Sequence, residues 1–449
     1  MPGSVHDSAA DKGAMPSSPA RDLTAATEAS RRIRPTVWFL NRSYWPDAEA
    51  TGQLLTELCE DLTAQFDVHV FAGQPNSNPT NEPFRRCGLQ ERNGVQIHRT
   101  WHTRFPKRSL TGRCLNQIGF FLGALWGTVL LPRPEVVVVE TDPFYLAILG
   151  VWLKLRHRCR LIVYLQDIYP DIAVALGKLP KGTLAVSLRR LLTKAYRYAD
   201  RVVLPSQDMR DVVVEQGVSP QHVEILPNWI DTERIAPIKD ENGFRAAAGM
   251  GRKFVVMYSG NMGLSQPLDV VLQAAESLRY RPEIQFLLVG DGVAKQRLQD
   301  DAEKRHLQNV RFLPYQPREE LACSLSAADL HVVAVDPRVY RLLMPSKVYA
   351  IFASGTPVVA IAPRESELSR IVSAHGAGLT VEPGDVKALV EAIGWGIEHR
   401  PELDRMGKRA RQLAVEQFDR RGATQRFGGL VAAVLEERRA AEIVPAVGG

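Results

Sequence analysis

Phe254-Val255-Val256-Met257-Tyr258 runs straight into Ser259-Gly260-Asn261-Met262-Gly263, and a helical pattern resumes near Pro267. An uninterrupted apolar run of this kind suits a strand buried on both faces of a parallel sheet. Glycines at the turn that follows let backbone N–H groups approach a phosphate, and the start of the next helix favours negative charge. The same grammar returns a little further on: Gln285–Val289 reads as a strand and Gly290-Asp291-Gly292 as the sharp turn at its carboxyl end. Doubly wound sheets hold their ligands at such ends. Neither turn completes G-x-G-x-x-G, so dinucleotide binding has little support.

Outward from there, β-branched runs alternate with helical patterns, the signature of parallel βαβ units. After Phe254–Tyr258 and Gln285–Val289, strands are predicted over Val310–Leu313, Leu330–Val333, Pro357–Ile361 and Leu379–Val381. Before it, strands are predicted over Val37–Leu40, Val68–Phe71, Val136–Val139, Leu161–Leu165, Arg201–Leu204 and Glu224–Leu226. Leu54, Leu55, Leu58 and Leu62 put a helix between the first two. Trp229 to Asp240 carries no periodic core pattern and reads as a linker. The division expected is a flexible leader over 1–33, a first α/β domain over 34–228, the linker over 229–240, a second over 241–420, and a C-terminal helix and tail over 421–449.

With 449 residues, 45% hydrophobic and 24% charged, the composition is that of a soluble two-domain protein rather than a disordered, collagen-like or polytopic membrane chain. A net charge of +6 is too mild for a nucleic-acid binder. The charge is uneven, however: residues 101–200 hold 15 Lys and Arg against 6 Asp and Glu. That region is either a docking face for anionic lipid or phosphate, or a solvated basic surface. Within it, Cys114 to Leu131 has no charged residue and is flanked by Lys107, Arg108, Arg113 and Arg133. This segment is either a core helix or a helix that also dips into a bilayer surface; its glycines, Asn116 and Gln117 argue against a span. The five cysteines are scattered without a C-x-x-C pair, which predicts buried reduced thiols in a cytosolic protein, without disulfides or zinc.

Three places could carry chemistry. Met344-Pro345-Ser346-Lys347 opens a helix predicted over Val348 to Ala353, closed by Gly355 and Pro357. A lysine in a first helical turn is adverse for the helix dipole, so Lys347 is either a phosphate ligand or a plain surface lysine. Asp167 follows a strand, in Gln166-Asp167-Ile168-Tyr169-Pro170, where a carboxylate can be catalytic, hydroxyl-orienting or merely a helix N-cap. Asp142 shares that ambiguity. The histidines have no metal-ligand spacing, and no carboxylate pair reads as a glycosidase.

Taken in order, these segments resemble the bacterial family 4 glycosyltransferases, over roughly residues 35 to 435, and among them the O-antigen and capsule enzymes of the fucosamine-transferase type. Carrying the likeness are Tyr44-Trp45-Pro46 with Thr51-Gly52-Gln53, Gln166 to Asp171, and Leu226-Pro227-Asn228-Trp229-Ile230-Asp231. Tyr258 to Gly263, Leu288 to Gly292, and Met344–Lys347 running into Ala353-Ser354-Gly355-Thr356-Pro357 carry it in the second half. The resemblance implies the GT-B fold, two doubly wound Rossmann-like domains facing each other across a cleft. It implies a UDP- or GDP-linked sugar as co-substrate, no other cofactor and no metal. Gly260, Asn261, Gly263, Ser346 and Lys347 would face the diphosphate, Gly290, Asp291 and Gly292 would line the cleft, and Leu313 and Pro314 would lie by the base. Lys347 and Asp167 would be catalytic, with Gly52, Gln166, Asp167 and Tyr169 on the acceptor side.

Two glutamates common in the family are replaced here by Leu342 and Ala350, so their contacts fall to Glu365 or Glu367. Asn261 and Gln266 stand where Arg and Lys are common, and Gln166 where His is. The function expected is retaining transfer of a sugar to a lipid-linked glycan, for O-antigen or other surface polysaccharide, by a cytoplasmic enzyme peripheral to the anionic inner face of the plasma membrane. The alternatives are a metal-free nucleotide-sugar epimerase and a non-catalytic nucleotide-sugar-binding partner.

Overall fold

The computed structural model describes residues 34–47, 49–75, 83–103, 105, 110–129, 131–238 and 242–443. The expected leader over 1–33, the flanking Lys107 and Arg108, the last residues of the expected linker and the end of the tail lie outside them.

The first half runs β1 (Thr36–Leu40), α1 (Ala50–Leu62), β2 (Asp67–Ala72), β3 (Gly88–Arg92), β4 (Val95–Arg99), α2 (Leu110–Val129), β5 (Val136–Val139), α3 (Leu146–His157), β6 (Arg160–Tyr164), α4 (Asp171–Ala175), α5 (Thr183–Tyr198), β7 (Arg201–Leu204), α6 (Gln207–Glu215) and β8 (Val223–Ile225). These strands form one eight-stranded sheet in the order β3-β4-β2-β1-β5-β6-β7-β8, parallel except for β3. Alternation along β1 feeds both faces. Trp38 and Leu40 pack with Phe120 of α2, Leu149 and Leu153 of α3, and Tyr196 of α5. Val37 and Phe39 pack with Leu55 and Leu58 of α1 on the opposite face.

The second half runs α7 (Gly243–Ala247), β9 (Phe254–Ser259), α8 (Asp269–Ser277), β10 (Ile284–Val289), α9 (Lys295–Lys304), β11 (Val310–Leu313), α10 (Leu321–Ser326), β12 (Leu330–Ala334), α11 (Lys347–Ala353), β13 (Val358–Ile361), α12 (Glu367–Ala374), β14 (Gly378–Val381), α13 (Val386–Glu398), α14 (Arg400–Gln417) and α15 (Arg420–Ile443). Its sheet is fully parallel, ordered β11-β10-β9-β12-β13-β14. The α/β class and both doubly wound sheets follow the sequence reading.

Four features depart from that reading. The first sheet has two more strands than expected, because β3 and β4 form an antiparallel hairpin turned by Asn93-Gly94, both at positive φ (47° and 79°). Helix α2 begins at Leu110, ahead of Cys114. All five cysteines are free, but Cys87 and Cys114 are exposed, so burial accounts only for Cys59 and Cys159. Finally, α15 crosses back to the first domain, where Phe427 and Val431 join the core beneath β1 and β6. Phe427 lies 5.4 Å from the Tyr164 ring, and Arg420 pairs with Asp61 of α1 at 2.7 Å.

That return lays the two interdomain crossings side by side. The Ile230 N–H donates to the Phe418 carbonyl (2.9 Å) and the Arg420 N–H to the Ile230 carbonyl (3.0 Å). Arg411 ties both crossings to the second domain, donating to the carbonyls of Thr232 (2.9 Å), Ile235 (2.7 Å) and Ala353 (2.9 Å). The described residues of the expected linker, 229–238, are thus tied by hydrogen bonds to the elements around them.

Candidate active site

In each sheet, one pair of neighbouring strands sends its following helices to opposite faces, and a crevice opens beyond their carboxyl ends. In the second sheet this switch lies between β9 and β12. The turn after β9 is Gly260–Gly263, and it interlocks with the turn after β10. Gly260 N–H donates to the Val289 carbonyl (2.9 Å), and Met262 N–H to the Asp291 carbonyl (2.7 Å). The contact is so close that a Cβ on Gly290, at φ 139°, would sit 2.0 Å from the Gly260 carbonyl oxygen. Gln266 caps the turn, its side-chain oxygen accepting from the Gly263 N–H at 3.0 Å. Gly292 N–H is likewise taken, by the Asp291 carboxylate at 2.8 Å. The amides at Gly260, Met262, Gly263 and Gly292 are therefore engaged within the loops, where the sequence suggested open ones.

What the turn does present is Lys347. Ser346 is the N-cap residue of α11, without a side-chain capping bond, and Lys347 is the first helical residue. Its ammonium donates to the Tyr258 hydroxyl and lies 3.9 Å from the centre of that ring. A Cβ on Gly260 would stand 3.0 Å from the same nitrogen. Among the described residues no carboxylate forms an ion pair with Lys347, and burial pushes its pKa down to about 7. It is not a plain surface lysine: the long side chain is sunk into the crevice with its head against the glycine turn.

Other expected residues fall around this point in different ways. Leu313 ends β11 beside the Gly290 turn, whose N–H donates to the Leu313 carbonyl at 2.9 Å, and Pro314 follows it. Tyr315 comes next and reaches the Asp291 carbonyl at 3.5 Å. Glu367 begins α12 at the carboxyl end of β13, but its carboxylate pairs with Arg370 (2.6 Å) and its N–H donates to Asp208 of the first domain (2.6 Å). Glu365 accepts from the Tyr340 hydroxyl at 3.3 Å.

The first domain meets this edge head-on. Asp167 makes an antiparallel bridge with Leu343, and the Ile168 N–H donates to the Leu342 carbonyl at 2.9 Å. The part-buried Asp167 carboxyl is pushed up to about 6, by burial first and by Asp142 second. It is not an N-cap: Pro170 occupies that position for α4, with no side-chain capping bond. Asp142 is instead held by Arg42 at 2.8 Å, across the switch between β1 and β5. Gly52 backs onto the same place, since a Cβ there would stand 2.5 Å from the Ser43 hydroxyl oxygen. Gln166 is buried and accepts from Asn228 (2.9 Å), which in turn accepts from Tyr164 (3.2 Å). Tyr169 stacks on Phe144 at 4.9 Å. The structure thus brings Asp167 and the Lys347 loop together at one seam, while Gln166 and Tyr169 support the Asp167 loop from behind.

A family model described as glycosyl transferases group 1 matches residues 240–413, and one described as a glycosyl transferase 4-like domain matches residues 49–229. Together they take in the second sheet, every strand of the first except β1, and the seam. The chain belongs to the family 4 glycosyltransferases. It is 27% identical over 401 residues to the putative colanic acid biosynthesis glycosyl transferase WcaI of Escherichia coli, covering 86% of this chain and 97% of that one. It is 26% identical over 342 residues to the probable glycosyltransferase WbjE of Pseudomonas aeruginosa, covering 75% and 85%. Among solved structures, it resembles sucrose-phosphate synthase of Thermosynechococcus elongatus (TM-score 0.72, 18% identity, 90% of this chain and all of that one). It also resembles HepE of Anabaena, determined in complex with UDP (TM-score 0.68, 16% identity, 89% of this chain and all of that one). These likenesses establish the GT-B fold.

For a family 4 glycosyltransferase, three features of the site were not read from the sequence. Tyr258 counted as a strand end and as part of the segment carrying the resemblance, without a role of its own, although it holds Lys347 from 89 positions away. The Arg42–Asp142 pair joins residues 100 apart. Asp208 and Arg370 meet at 2.5 Å across the seam. The first two depend on which strands and helices become neighbours within a sheet, and the third on the two domains meeting, none of which a local pattern encodes. Among the described residues no three of His, Cys, Asp and Glu gather into a metal-holding group. Nor is any described helix long and apolar enough to cross a membrane.

Proposed function

We propose that this glycosyltransferase takes a sugar from a UDP- or GDP-linked donor held at the Lys347 end of the second sheet and passes it, with retention of configuration and without a metal, to a lipid-linked glycan held by the first domain. The observation that carries this is Lys347, a half-buried cation at a switch point with no carboxylate among the described residues to neutralise it. As the bond from the anomeric carbon to the diphosphate breaks, its electron pair leaves on the phosphate oxygen, and Lys347 meets the charge that develops there. The acceptor hydroxyl forms the new bond to the same carbon and gives up its proton. Asp167, ionised at neutral pH yet raised to about 6, stands on the acceptor side to orient that hydroxyl and take the proton. Ser346, Asn261 and the glycines of both turns let the donor come close to the backbone, Leu313 and Pro314 flank the base, and Glu367 exchanges Arg370 for a sugar hydroxyl.

A lipid-linked acceptor requires the enzyme at a membrane, and α2 supplies the contact. Leu115, Ile118, Leu122, Trp126 and Val129 form a stripe at spacings of three and four along one side, with Trp126 72% and Leu122 56% exposed. Phe120 and Ala124 anchor the other side in the core. Such a stripe in a basic region suits a helix lying in the headgroup layer of an anionic leaflet. This agrees with a peripheral place on the inner face of the plasma membrane, and the Escherichia coli relative, named for colanic acid biosynthesis, supports a polysaccharide product, which we read as O-antigen or another surface polysaccharide.

A thermal-shift screen of nucleotide sugars, with and without Mg²⁺, tests the donor half. A ligand at a hundredfold excess over its dissociation constant stabilises by about 2.7 kcal/mol. One sugar nucleotide should raise the midpoint independently of metal; no shift with any of them contradicts the reading. Sedimentation with vesicles containing phosphatidylglycerol tests the membrane half: Leu122→Ser with Trp126→Ser should abolish co-sedimentation, and unchanged binding removes α2 from the account.

A further inference from the structure

We propose that Tyr258 is the positioning residue of Lys347, a neutral aromatic holder that fixes the ammonium at the turn without neutralising it. The inference rests on the donor reading above and deepens it. Three observations carry it. Lys347 donates to the Tyr258 hydroxyl oxygen and also lies over the ring, 3.9 Å from its centre. The hydroxyl proton is directed elsewhere, to the Asn261 carbonyl at 2.5 Å, so the phenol links the ammonium to the Gly260–Gly263 turn itself. Tyr258 is also buried, 1% exposed and next to last in the central strand β9, with its own ionisation pushed far up by burial.

The chemistry distinguishes this holder from a carboxylate. A carboxylate would fix the lysine but cancel its charge, and an arriving diphosphate would have to displace it. A phenol and its ring attract an ammonium through dipole and quadrupole. The positive charge is left whole, and burial makes it costly until an anion arrives. Among the described residues, the other titratable group that interacts with Lys347 is His331 of β12, buried and pushed down to about 4, mainly by burial and in part by Lys347 itself. It is therefore neutral and offers no counter-charge. Leu342 and Ala350, five residues before and three after the lysine in sequence, are apolar as well.

The test is a double-mutant cycle read by calorimetric titration of UDP and of GDP into the full chain. The variants are Tyr258→Phe, Lys347→Ala and the two combined. Tyr258→Phe keeps the ring and removes the hydroxyl, and a thermal melt of each variant confirms that it is folded. Losing a hydrogen bond to a charged group should weaken nucleotide binding about tenfold. In the Lys347→Ala background the same substitution should change affinity by less than about twofold, because there is no longer a lysine to hold. An equal loss in both backgrounds means that Tyr258 acts through the fold, and overturns the proposal. So does unchanged binding by Tyr258→Phe. If the wild-type chain binds neither nucleotide, the donor reading itself fails, an outcome separate from either of these. Should Tyr258→Phe unfold, Tyr258→Trp takes its place: it keeps an aromatic face but cannot accept the hydrogen bond, and the same cycle applies.

Discussion

An ammonium enclosed without a carboxylate is a group waiting for an anion, and its protonation reports the event. Lys347, lowered to about 7, is mostly neutral at pH 8 in the free enzyme. A diphosphate beside it favours the charged form, so UDP binding at that pH should take up close to one proton, about 0.9 for a pKa one unit below the pH. Titrations in two buffers of different ionisation enthalpy measure this, and the uptake should vanish in Lys347→Ala. The same substitution should lower kcat about 10²- to 10³-fold, as expected for a group that meets transition-state charge. Asp167 carries the opposite sign. Its folded pKa is raised to about 6, so the folded protein holds a proton that the unfolded chain releases between about pH 4 and pH 6. Stability from this group is present in acid and lost as pH rises through that window. Asp167→Asn should therefore melt above wild type at about pH 7.5 and level with it at about pH 4, while losing transfer activity. At this scale the sequence marked Lys347 and Asp167 by position, each just past a strand or at a helix start. It left their surface, capping and catalytic readings open, because burial and partners come from residues far away in the chain.

Elements were easier to read than their contacts. Strands buried on both faces announce themselves as apolar runs, and Val136–Val139 coincides with the structure residue for residue, as do Arg201–Leu204 and the part-exposed edge strand Val310–Leu313. The β3–β4 hairpin escaped because Gly88–Arg92 is polar and mostly exposed. The signal was nevertheless there, in Asn93-Gly94 between the two strands, the pair that a two-residue hairpin turn favours. The paired glycine turns were legible as turns, but not as a single interlocked unit. That unit makes a prediction of its own. Gly290→Ala places a methyl group against the Gly260 carbonyl at a left-handed φ, which should destabilise the protein by more than about 2 kcal/mol and abolish UDP binding. Urea unfolding and a binding titration check the two parts. Helix α2 was legible as an uncharged run, whereas its division into a buried side and an exposed stripe required the packed sheet.

At the scale of the whole molecule, the seam is closed by latches of opposite charge. Asp208 accepts from Arg370 (2.5 Å) and from the Glu367 N–H (2.6 Å), Glu215 meets Arg341 at 2.6 Å, and Glu57 pairs with Arg318. The double crossing at Ile230 and Asp419 is the place where one domain can turn on the other. Asp208→Asn removes the latch nearest α12, so the free enzyme should show a larger radius of gyration in solution scattering, returning to the wild-type value with saturating UDP. No alternation of strands and helices announces such closure, because each latch pairs side chains from different domains. The central claim remains the division of labour, with nucleotide on the second sheet and acceptor on the first, and hydrogen exchange on the full chain with and without UDP tests it most directly. Exchange should slow in the turns at Gly260–Gly263 and Gly290–Gly292 and in the helix Lys347–Ala353. Protection confined instead to the switch of the first sheet, around Asn41–Trp45 and Glu140–Asp142, would contradict it.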